Sequence, residues 1–237
     1  MTSDLRDDAT GTRSGLPEGG TRPPSDLPKV PLQPPRGAYE RWGKRAFDLA
    51  ACSLGLVVLS PVFAGLALAI RLDSRGPVFY RSKRVGEGGR VFGFLKFRSM
   101  VDGAEAMRDS LQHLNEVDGP VFKITRDPRV TRVGSWLRRT SLDELPQLWN
   151  VLRGDMSLVG PRPPIPEEVQ QYEPWHLRRL SVRPGITCSW QVSGRSRVGF
   201  DDWMRMDLEY IDQRSLRVDL RILFRTVPAV WSGRGAY

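Results

Sequence analysis

The longest apolar segment of the chain is Leu49–Ile70, which contains no charged side chain. A helix of this length would measure about 33 Å, enough to cross the hydrocarbon core of a bilayer. Ser60-Pro61 interrupts the segment near its middle, and proline removes a backbone donor and bends a helix. Three interpretations stay open: a spanning helix, a re-entrant helix that enters and leaves by one face, and a buried core helix.

Basic residues flank both ends of this segment, with Arg41, Lys44 and Arg45 before it and Arg71, Arg75, Arg81, Lys83 and Arg84 after it. The positive-inside rule places such residues on the cytoplasmic side of a membrane. A helix bent at Ser60-Pro61 would leave both flanks on that side. The charges therefore favour the re-entrant interpretation.

Shorter patterns predict the rest of the fold. Val78–Tyr80 and Val91–Leu95 are strand-like and are joined by Gly86–Gly89, which indicates a small β-hairpin. Apolar residues then recur at helical spacing from Phe200 to Ile211 and from Leu216 to Val230. The second stripe lies beside a row of arginines: Arg217, Arg221 and Arg225. Such a helix suits a bilayer interface, although packing on a soluble core stays open. We expect an α+β, mostly helical fold with interfacial amphipathic helices.

Composition adds a tail and a class of partner. Residues 1–38 hold seven prolines, five glycines and few large apolar side chains, which predicts disorder. They contain no apolar h-region of a secretory signal. The net charge of +9 favours an anionic partner. The sequence shows no nucleic-acid-binding motif, so we expect no nucleic acid partner.

Two adjacent carboxylates, Asp143 and Glu144, lie among arginines. Ser141-Leu142-Asp143-Glu144 fits the capping-box pattern S-x-x-E with Ser141 as N-cap. The pattern predicts a helix whose positive N-terminus keeps Asp143 ionised and attracts phosphate. The two acids could also serve only to start that helix. Pro146, however, would cost a helical hydrogen bond that a cap alone does not require.

The surroundings of the pair indicate phosphate chemistry. Arg138 precedes the pair, and Arg162 follows it in the rigid turn Val159–Pro163. Carboxylates, a divalent ion and arginines together suit phosphoryl transfer, in which an aspartate can attack phosphorus to form an acyl phosphate. The chain has no P-loop or kinase-type glycine loop, so the sequence does not support an ATPase.

Several longer motifs accompany the pair: KRAFDLA at Lys44–Ala50, GPVFYRSKRVG at Gly76–Gly86, FLKFRSM at Phe94–Met100, the stretch Lys123–Pro164, RPGITCSWQVSGR at Arg183–Arg195 and the terminal GRGAY. With these motifs the chain resembles the bacterial sugar transferase family, small monotopic polyprenyl-phosphate phosphoglycosyl transferases, over Tyr39–Tyr237. One departure is Cys188, which stands where the family usually has glycine.

The resemblance implies a mechanism. Asp143 would attack the β-phosphate of a UDP-sugar, release UMP and form a phosphosugar-aspartyl intermediate. Polyprenyl (undecaprenyl) phosphate would then accept the sugar-1-phosphate, as the first membrane step of exopolysaccharide or glycan assembly. Glu144 would help to bind Mg²⁺. The substrate-binding residues would be Arg138 and Arg162, and with less support Lys96, Arg98 and Arg195.

The resemblance also implies a location and a division of the chain. The membrane helix would be re-entrant at the inner (cytoplasmic) membrane, with both ends on the cytosolic face. Residues 1–38 would form the tail, residues 39–75 the membrane helix with its flanks, and residues 76–237 the catalytic domain. A homo-oligomer is possible. The alternative function is a non-catalytic, membrane-associated binding module of a glycan-assembly complex, which would need neither Asp143 nor Glu144.

Overall fold

The computed structural model describes residues 27–107, 109–116, 124, 126–193 and 199–231. The α-helices are α1 (Lys44–Val58), α2 (Ser60–Asp73), α3 (Arg132–Thr140), α4 (Gln147–Arg153), α5 (Pro166–Val169), α6 (Ser189–Ser193), α7 (Phe200–Gln213) and α8 (Leu216–Trp231). The strands are β1 (Phe79–Val85), β2 (Val91–Phe97), β3 (Ser157–Val159) and β4 (Gly185–Thr187). Strands β1 and β2 form one two-stranded sheet, and β3 and β4 form another. This architecture confirms the predicted α+β, mostly helical class.

The long apolar segment forms two helices that meet at the predicted break. A π-helical turn, Tyr39–Gly43, leads into α1, and the axis bends by 61° between α1 and α2. Pro61 cannot donate to the carbonyl of Val57, and the hydroxyl of Ser60 donates to that carbonyl instead at 2.8 Å. Among the described residues no single helix is long and apolar enough to cross a bilayer, whereas this bent pair meets both criteria together.

Each arm of the bent pair packs on the rest of the protein along one side only. In α1, Cys52 belongs to a buried cluster with Val151 of α4. In α2, Leu66 and Ile70 pack with Leu137 of α3. Large apolar side chains on the other sides are exposed: Leu54, Val57, Val58, Leu68 and Leu72. The two arms therefore present an apolar outer surface.

The predicted β-hairpin is present and is longer than its apolar runs. Strands β1 and β2 pair in antiparallel register from Phe79 opposite Phe97 to Val85 opposite Val91. The connection contains a 3-10 turn, Glu87–Gly89, in which Gly88 and Gly89 have positive φ. Only glycine adopts this conformation readily, which explains the glycine-rich turn. The hairpin places Lys96 on β2 and Arg84 on β1.

The C-terminal helices α7 and α8 cover the parallel pair β3–β4. Val159 of β3, Tyr210 of α7 and Ile222 of α8 belong to one buried cluster. On the opposite side of α8 the predicted arginine row is exposed, next to the exposed apolar side chains Phe224 and Val227. The structure thus confirms both predicted amphipathic helices.

The chain before α1 is packed from Leu27 onward. The N–H of Gln33 donates to the carbonyl of Ser181 at 2.9 Å, and Leu27 and Val30 pack against the buried cluster around Val85. Apolar side chains spaced along an extended segment can be buried without regular secondary structure. The predicted disorder of residues 1–38 therefore does not extend over 27–38. Residues 1–26 lie outside the described residues, and the predicted division of the chain stays a prediction.

Candidate active site

The carboxylate pair, Asp143 and Glu144, lies on a single 3-10 turn, Leu142–Glu144, between α3 and α4. The predicted capping box is wrong. Ser141 ends α3 in the left-handed conformation (φ 55°) and makes no side-chain cap bond. The following α-helix begins only at Gln147, so Pro146 precedes it and costs no helical hydrogen bond. The reason is that α3 already uses Ser141 as its C-terminal cap residue, and the chain must turn tightly before α4.

This turn gives the pair a different electrostatic environment from the predicted one. Asp143 is only 5% exposed, and burial raises its pKa above the ordinary value. Glu144 raises the pKa of Asp143 further, while Lys96 and Arg138 act in the opposite direction. The sequence predicted a helix N-terminus that would keep Asp143 ionised. The structure has a 3-10 turn instead, and the pKa of Asp143 is raised.

The pKa of the second carboxylate, Glu144, shifts in the opposite direction. Burial alone would raise the pKa of Glu144, but Lys96, and after it Arg162 and Arg84, bring this pKa below the ordinary value. Two adjacent acids with pKa values shifted apart can take two different roles. Glu144 favours the anionic form, and Asp143 is the more basic carboxylate of the two.

Lys96 is the direct partner of both acids. Its Nζ lies 3.4 Å from Oδ2 of Asp143 and 2.7 Å from Oε1 of Glu144. Strand β2 carries Lys96 to this position, where its Nζ also lies 5.6 Å from the centre of the Phe94 ring. The predicted site residue Lys96 is therefore in the same site as the carboxylate pair.

Two arginines lie near the pair: Arg138, which precedes it in the sequence, and Arg162, which follows it. Arg138, in the last turn of α3, donates from Nε to the hydroxyl of Ser99 at 2.9 Å. The half-buried guanidinium of Arg162 lies 5.7 Å from the ring centre of Trp203. Arg138 lowers the pKa of Asp143 and Arg162 lowers that of Glu144, so both cations act on the pair.

The Pro-Arg-Pro segment, Pro161–Pro163, is held close to the neighbouring chain by two glycines. Gly160 donates to the carbonyl of Thr187 at 3.1 Å, and Gly185 donates to the carbonyl of Pro161 at 2.9 Å. A Cβ at Gly160 would lie 2.5 Å from the carbonyl oxygen of Arg183. The fold therefore needs glycine here in order to fix the backbone that presents Arg162.

The sequence of the chain matches a known family. A family model described as bacterial sugar transferase matches residues 39–233. The chain belongs to the bacterial sugar transferase family. The predicted family is therefore confirmed, together with the enzyme class of a sugar transferase.

Relatives of known name cover most of this chain. It is 45% identical over 195 residues to the galactosyl transferase CpsE of Streptococcus agalactiae, covering 81% of this chain and 43% of that protein. It is 41% identical over 198 residues to the exopolysaccharide production protein ExoY of Rhizobium meliloti, covering 82% of this chain and 88% of that protein.

A third relative is the UDP-glucose:undecaprenyl-phosphate glucose-1-phosphate transferase of Escherichia coli, 40% identical over 221 residues, which cover 89% of this chain and 45% of that protein. The chain thus spans less than half the length of CpsE and of the Escherichia coli enzyme, and most of the length of ExoY.

One predicted substrate-binding residue, Arg98, makes its contacts away from the pair. Arg98 is buried and donates to the carbonyls of Ser74, at 2.9 Å, and Arg75. It fixes the turn that follows α2. Arg195 lies outside the described residues.

Sequence reasoning missed two arginines that the fold brings to the site. Arg84 lies on β1 beside Arg162 and Glu144. Arg179 is completely buried and donates to the carbonyl of Arg162 at 2.7 Å and to Oδ2 of Asp207 at 2.6 Å. Arg84 was visible only as one more basic residue in the motif Gly76–Gly86. Nothing in the local sequence distinguished Arg179, because its partners are distant along the chain.

The carboxylate pair also fits a magnesium site of one particular kind. Within the residues that the structure describes, no group of three or more His, Cys, Asp and Glu side chains is placed to hold a metal ion. Magnesium, however, is usually held by one or two carboxylates together with substrate phosphates and water. Glu144, whose side chain is 29% exposed and whose pKa is lowered, would be such a carboxylate.

Proposed function

We propose that this protein transfers a sugar-1-phosphate from a UDP-sugar to undecaprenyl phosphate, as the first membrane step of exopolysaccharide or glycan assembly. The observation that carries the proposal is the buried Asp143 beside Glu144, with both acids contacting Lys96. The names of the relatives support the substrates, since one is called a UDP-glucose:undecaprenyl-phosphate glucose-1-phosphate transferase. The identity of the sugar in this protein is left open, with glucose and galactose as the first candidates.

The proposed reaction has two displacement steps at phosphorus. A carboxylate oxygen of Asp143 forms a bond to the β-phosphorus of the UDP-sugar, and the bond from that phosphorus to the bridging oxygen breaks, so UMP leaves with the electron pair. An oxygen of undecaprenyl phosphate then attacks the same phosphorus and releases the Asp143 carboxylate. The product is an undecaprenyl diphosphate sugar.

The residues around the pair would supply charge stabilisation. Lys96, Arg138 and Arg162 would neutralise phosphate oxygens as negative charge develops on them. Glu144 would hold Mg²⁺ together with substrate phosphate, and the ion would add further neutralisation when bound. Burial of Asp143 keeps water away from the acyl phosphate, which limits hydrolysis of the intermediate.

We propose further that the protein is monotopic, with α1 and α2 forming a re-entrant helix at the cytosolic face of the inner membrane. The 61° bend at Ser60-Pro61 and the exposed apolar side chains of both arms support this placement. The exposed row of arginines beside Phe224 and Val227 on α8 supports a second, interfacial contact. Such a location lets a soluble UDP-sugar and a lipid phosphate reach one aspartate.

A single assay tests the enzymatic proposal. The purified protein is incubated with Mg²⁺, undecaprenyl phosphate and a panel of UDP-sugars, and UMP release is measured. We expect turnover with at least one UDP-sugar and loss of roughly 10⁴-fold or more in Asp143→Asn, as when other enzymes lose a nucleophile. Asp202→Asn, at an exposed position on α7, is the matched control.

Omitting the lipid tests the covalent intermediate. Without undecaprenyl phosphate we expect the parent protein to release one equivalent of UMP and to retain the sugar phosphate on Asp143. A non-catalytic binding module would release no UMP under either condition. Full turnover in Asp143→Asn would show that the nucleophile is another residue.

A further inference from the structure

Arg84 is a half-buried guanidinium with few partners inside the protein. Its Nη1 donates to the carbonyl of Pro163 at 3.2 Å, and its Nε is buried without a hydrogen-bond partner. The guanidinium carbon lies 5.2 Å from the centre of the Phe94 ring. Among the described residues, no carboxylate lies within 4.0 Å of it. Most of its five donors are therefore not used by the protein.

Other cations surround Arg84. Burial and the neighbouring Arg162 lower the pKa of Arg84 to about 10, against the opposite effects of Glu168 and Glu144. Lys96 lies over the same Phe94 ring as Arg84. The Arg84 and Arg162 guanidiniums thus repel each other in a partly desolvated space, and the Lys96 ammonium lies near the same ring as Arg84. A multiply charged anion between these cations would reduce their repulsion.

The position of Arg84 is fixed by the scaffold. Strand β1 pairs it with Phe92 of β2, and its bond to Pro163 ties it to the segment that presents Arg162. A guanidinium held in this way keeps its planar fork available for two phosphate oxygens at little entropic cost. An arginine that only kept the hairpin surface polar would be exposed to solvent, and it would have neither a buried Nε nor a hydrogen bond to Pro163.

We infer that Arg84 binds a phosphate group of a substrate, next to Arg162 and on the Glu144 side of the reacting carboxylate. This inference rests on the proposed function, because that function supplies two phosphate-bearing substrates. The shared chemistry is a phosphate oxygen, which comes either from the diphosphate of the UDP-sugar or from undecaprenyl phosphate.

The test compares Arg84→Gln, Arg84→Lys and the matched control Lys83→Gln, which removes the same charge from an exposed position on the same strand. One arm measures equilibrium binding of UDP to the full-length protein by calorimetry. The other arm measures KM separately for the UDP-sugar and for undecaprenyl phosphate. Thermal unfolding of each variant is recorded alongside.

We expect Arg84→Gln to weaken phosphate binding by roughly 10- to 100-fold, the usual range for losing charge-assisted hydrogen bonds. Weaker UDP binding with a raised KM for the UDP-sugar would identify the donor diphosphate as the partner. Unchanged UDP binding with a raised KM for undecaprenyl phosphate would identify the acceptor. Arg84→Lys, which keeps the charge but loses the fork, should show a smaller loss, and Lys83→Gln should match the parent.

Two outcomes would overturn the inference, and both can be distinguished from a failure of the proposed function. If UDP binding and both KM values of Arg84→Gln equal those of the parent, Arg84 does not bind substrate phosphate. If Arg84→Gln does not fold, parent-like values in Arg84→Lys would lead to the same conclusion. A parent protein that binds no UDP and releases no UMP would instead contradict the proposed function itself.

Discussion

Burial of Asp143 opposes the ionisation that its proposed role as a nucleophile requires. A nucleophilic carboxylate must be ionised, yet burial disfavours its charged form and raises its pKa. Lys96 reduces that conflict, because its ammonium contacts both acids and favours the ionised form of Asp143. The pKa of Asp143 therefore depends on Lys96 more than on any other single cation.

This dependence predicts a shift in the pH dependence of Lys96→Gln. The proposed reaction needs ionised Asp143, so its rate should fall as the pH drops through the raised pKa of Asp143. Without the Lys96 ammonium this pKa rises further, and the acid limb of kcat/KM for the UDP-sugar should move to higher pH. The rate at the optimum should also fall, by roughly 10²-fold for one lost stabilising donor.

Lys96→Arg is the matched variant, because it keeps a positive charge beside the pair. Its acid limb should stay close to that of the parent. The measurement is initial UMP release over a pH series with the UDP-sugar well below its KM. An acid limb in Lys96→Gln that stays in place, or moves to lower pH, would contradict this role of Lys96.

Among the elements, the short parallel pair β3–β4 controls the site through backbone contacts. Gly160 follows β3 and Gly185 begins β4, and the two residues approach so closely that a Cβ on either would meet main-chain atoms. The segment that leaves this contact carries Arg162. Arg179 of the 3-10 helix His176–Ser181 then holds the carbonyl of Arg162 at 2.7 Å. Arg162 is thus positioned from both sides by contacts that involve little of its own side chain.

Gly160→Ala should therefore reduce both stability and activity. Its Cβ would lie 2.5 Å from the carbonyl oxygen of Arg183, and a backbone atom cannot move away as a flexible side chain can. We expect destabilisation of about 1–3 kcal/mol, typical of overpacking, and a raised KM for the UDP-sugar as Arg162 is displaced. Thermal unfolding and UMP release measure the two effects.

Gly37→Ala is the control for this substitution, since a Cβ there would meet no heavy atom within 4 Å. It should unfold at or slightly above the temperature of the parent, because alanine restricts the unfolded chain more than glycine does. Equal stability of Gly160→Ala and Gly37→Ala would mean that the β3–β4 contact is not as tight as described.

The same elements show where local sequence is sufficient and where it fails. The break at Ser60-Pro61 and the hairpin turn Gly86–Gly89 were predictable, because proline and glycine act on the backbone within a few residues. The capping box at Ser141 failed for the opposite reason. Leu142 and Leu145 pack against the cluster that contains Leu66 and Leu137, so tertiary packing sets the path of the chain there. Arg84 and Arg179 were missed because their partners are distant in the sequence.

For the whole molecule, the bent helix pair is firmly connected to the rest of the fold. Asp219 of α8 is buried and accepts hydrogen bonds from Tyr39, from Lys44 at 2.6 Å and from Tyr210 at 2.8 Å. A buried ion pair loses several kcal/mol when one partner is removed. The start of α1 is therefore attached to the helix that carries the exposed arginine row, and the apolar surfaces of both belong to one body.

This connection makes the proposed topology testable by cysteine accessibility at both ends of the pair. Arg41→Cys and Arg75→Cys are suitable because both side chains are exposed, whereas a change at Lys44 would break its ion pair with Asp219. The native Cys52 and Cys188 are buried, so an impermeant reagent should not reach them in the folded protein.

A re-entrant helix keeps both ends in the cytosol. Both variants should then be labelled in inside-out vesicles and protected in intact cells, and Leu68→Cys should be protected in each. Labelling of one end in intact cells and of the other only in inside-out vesicles would mean that the segment spans the membrane.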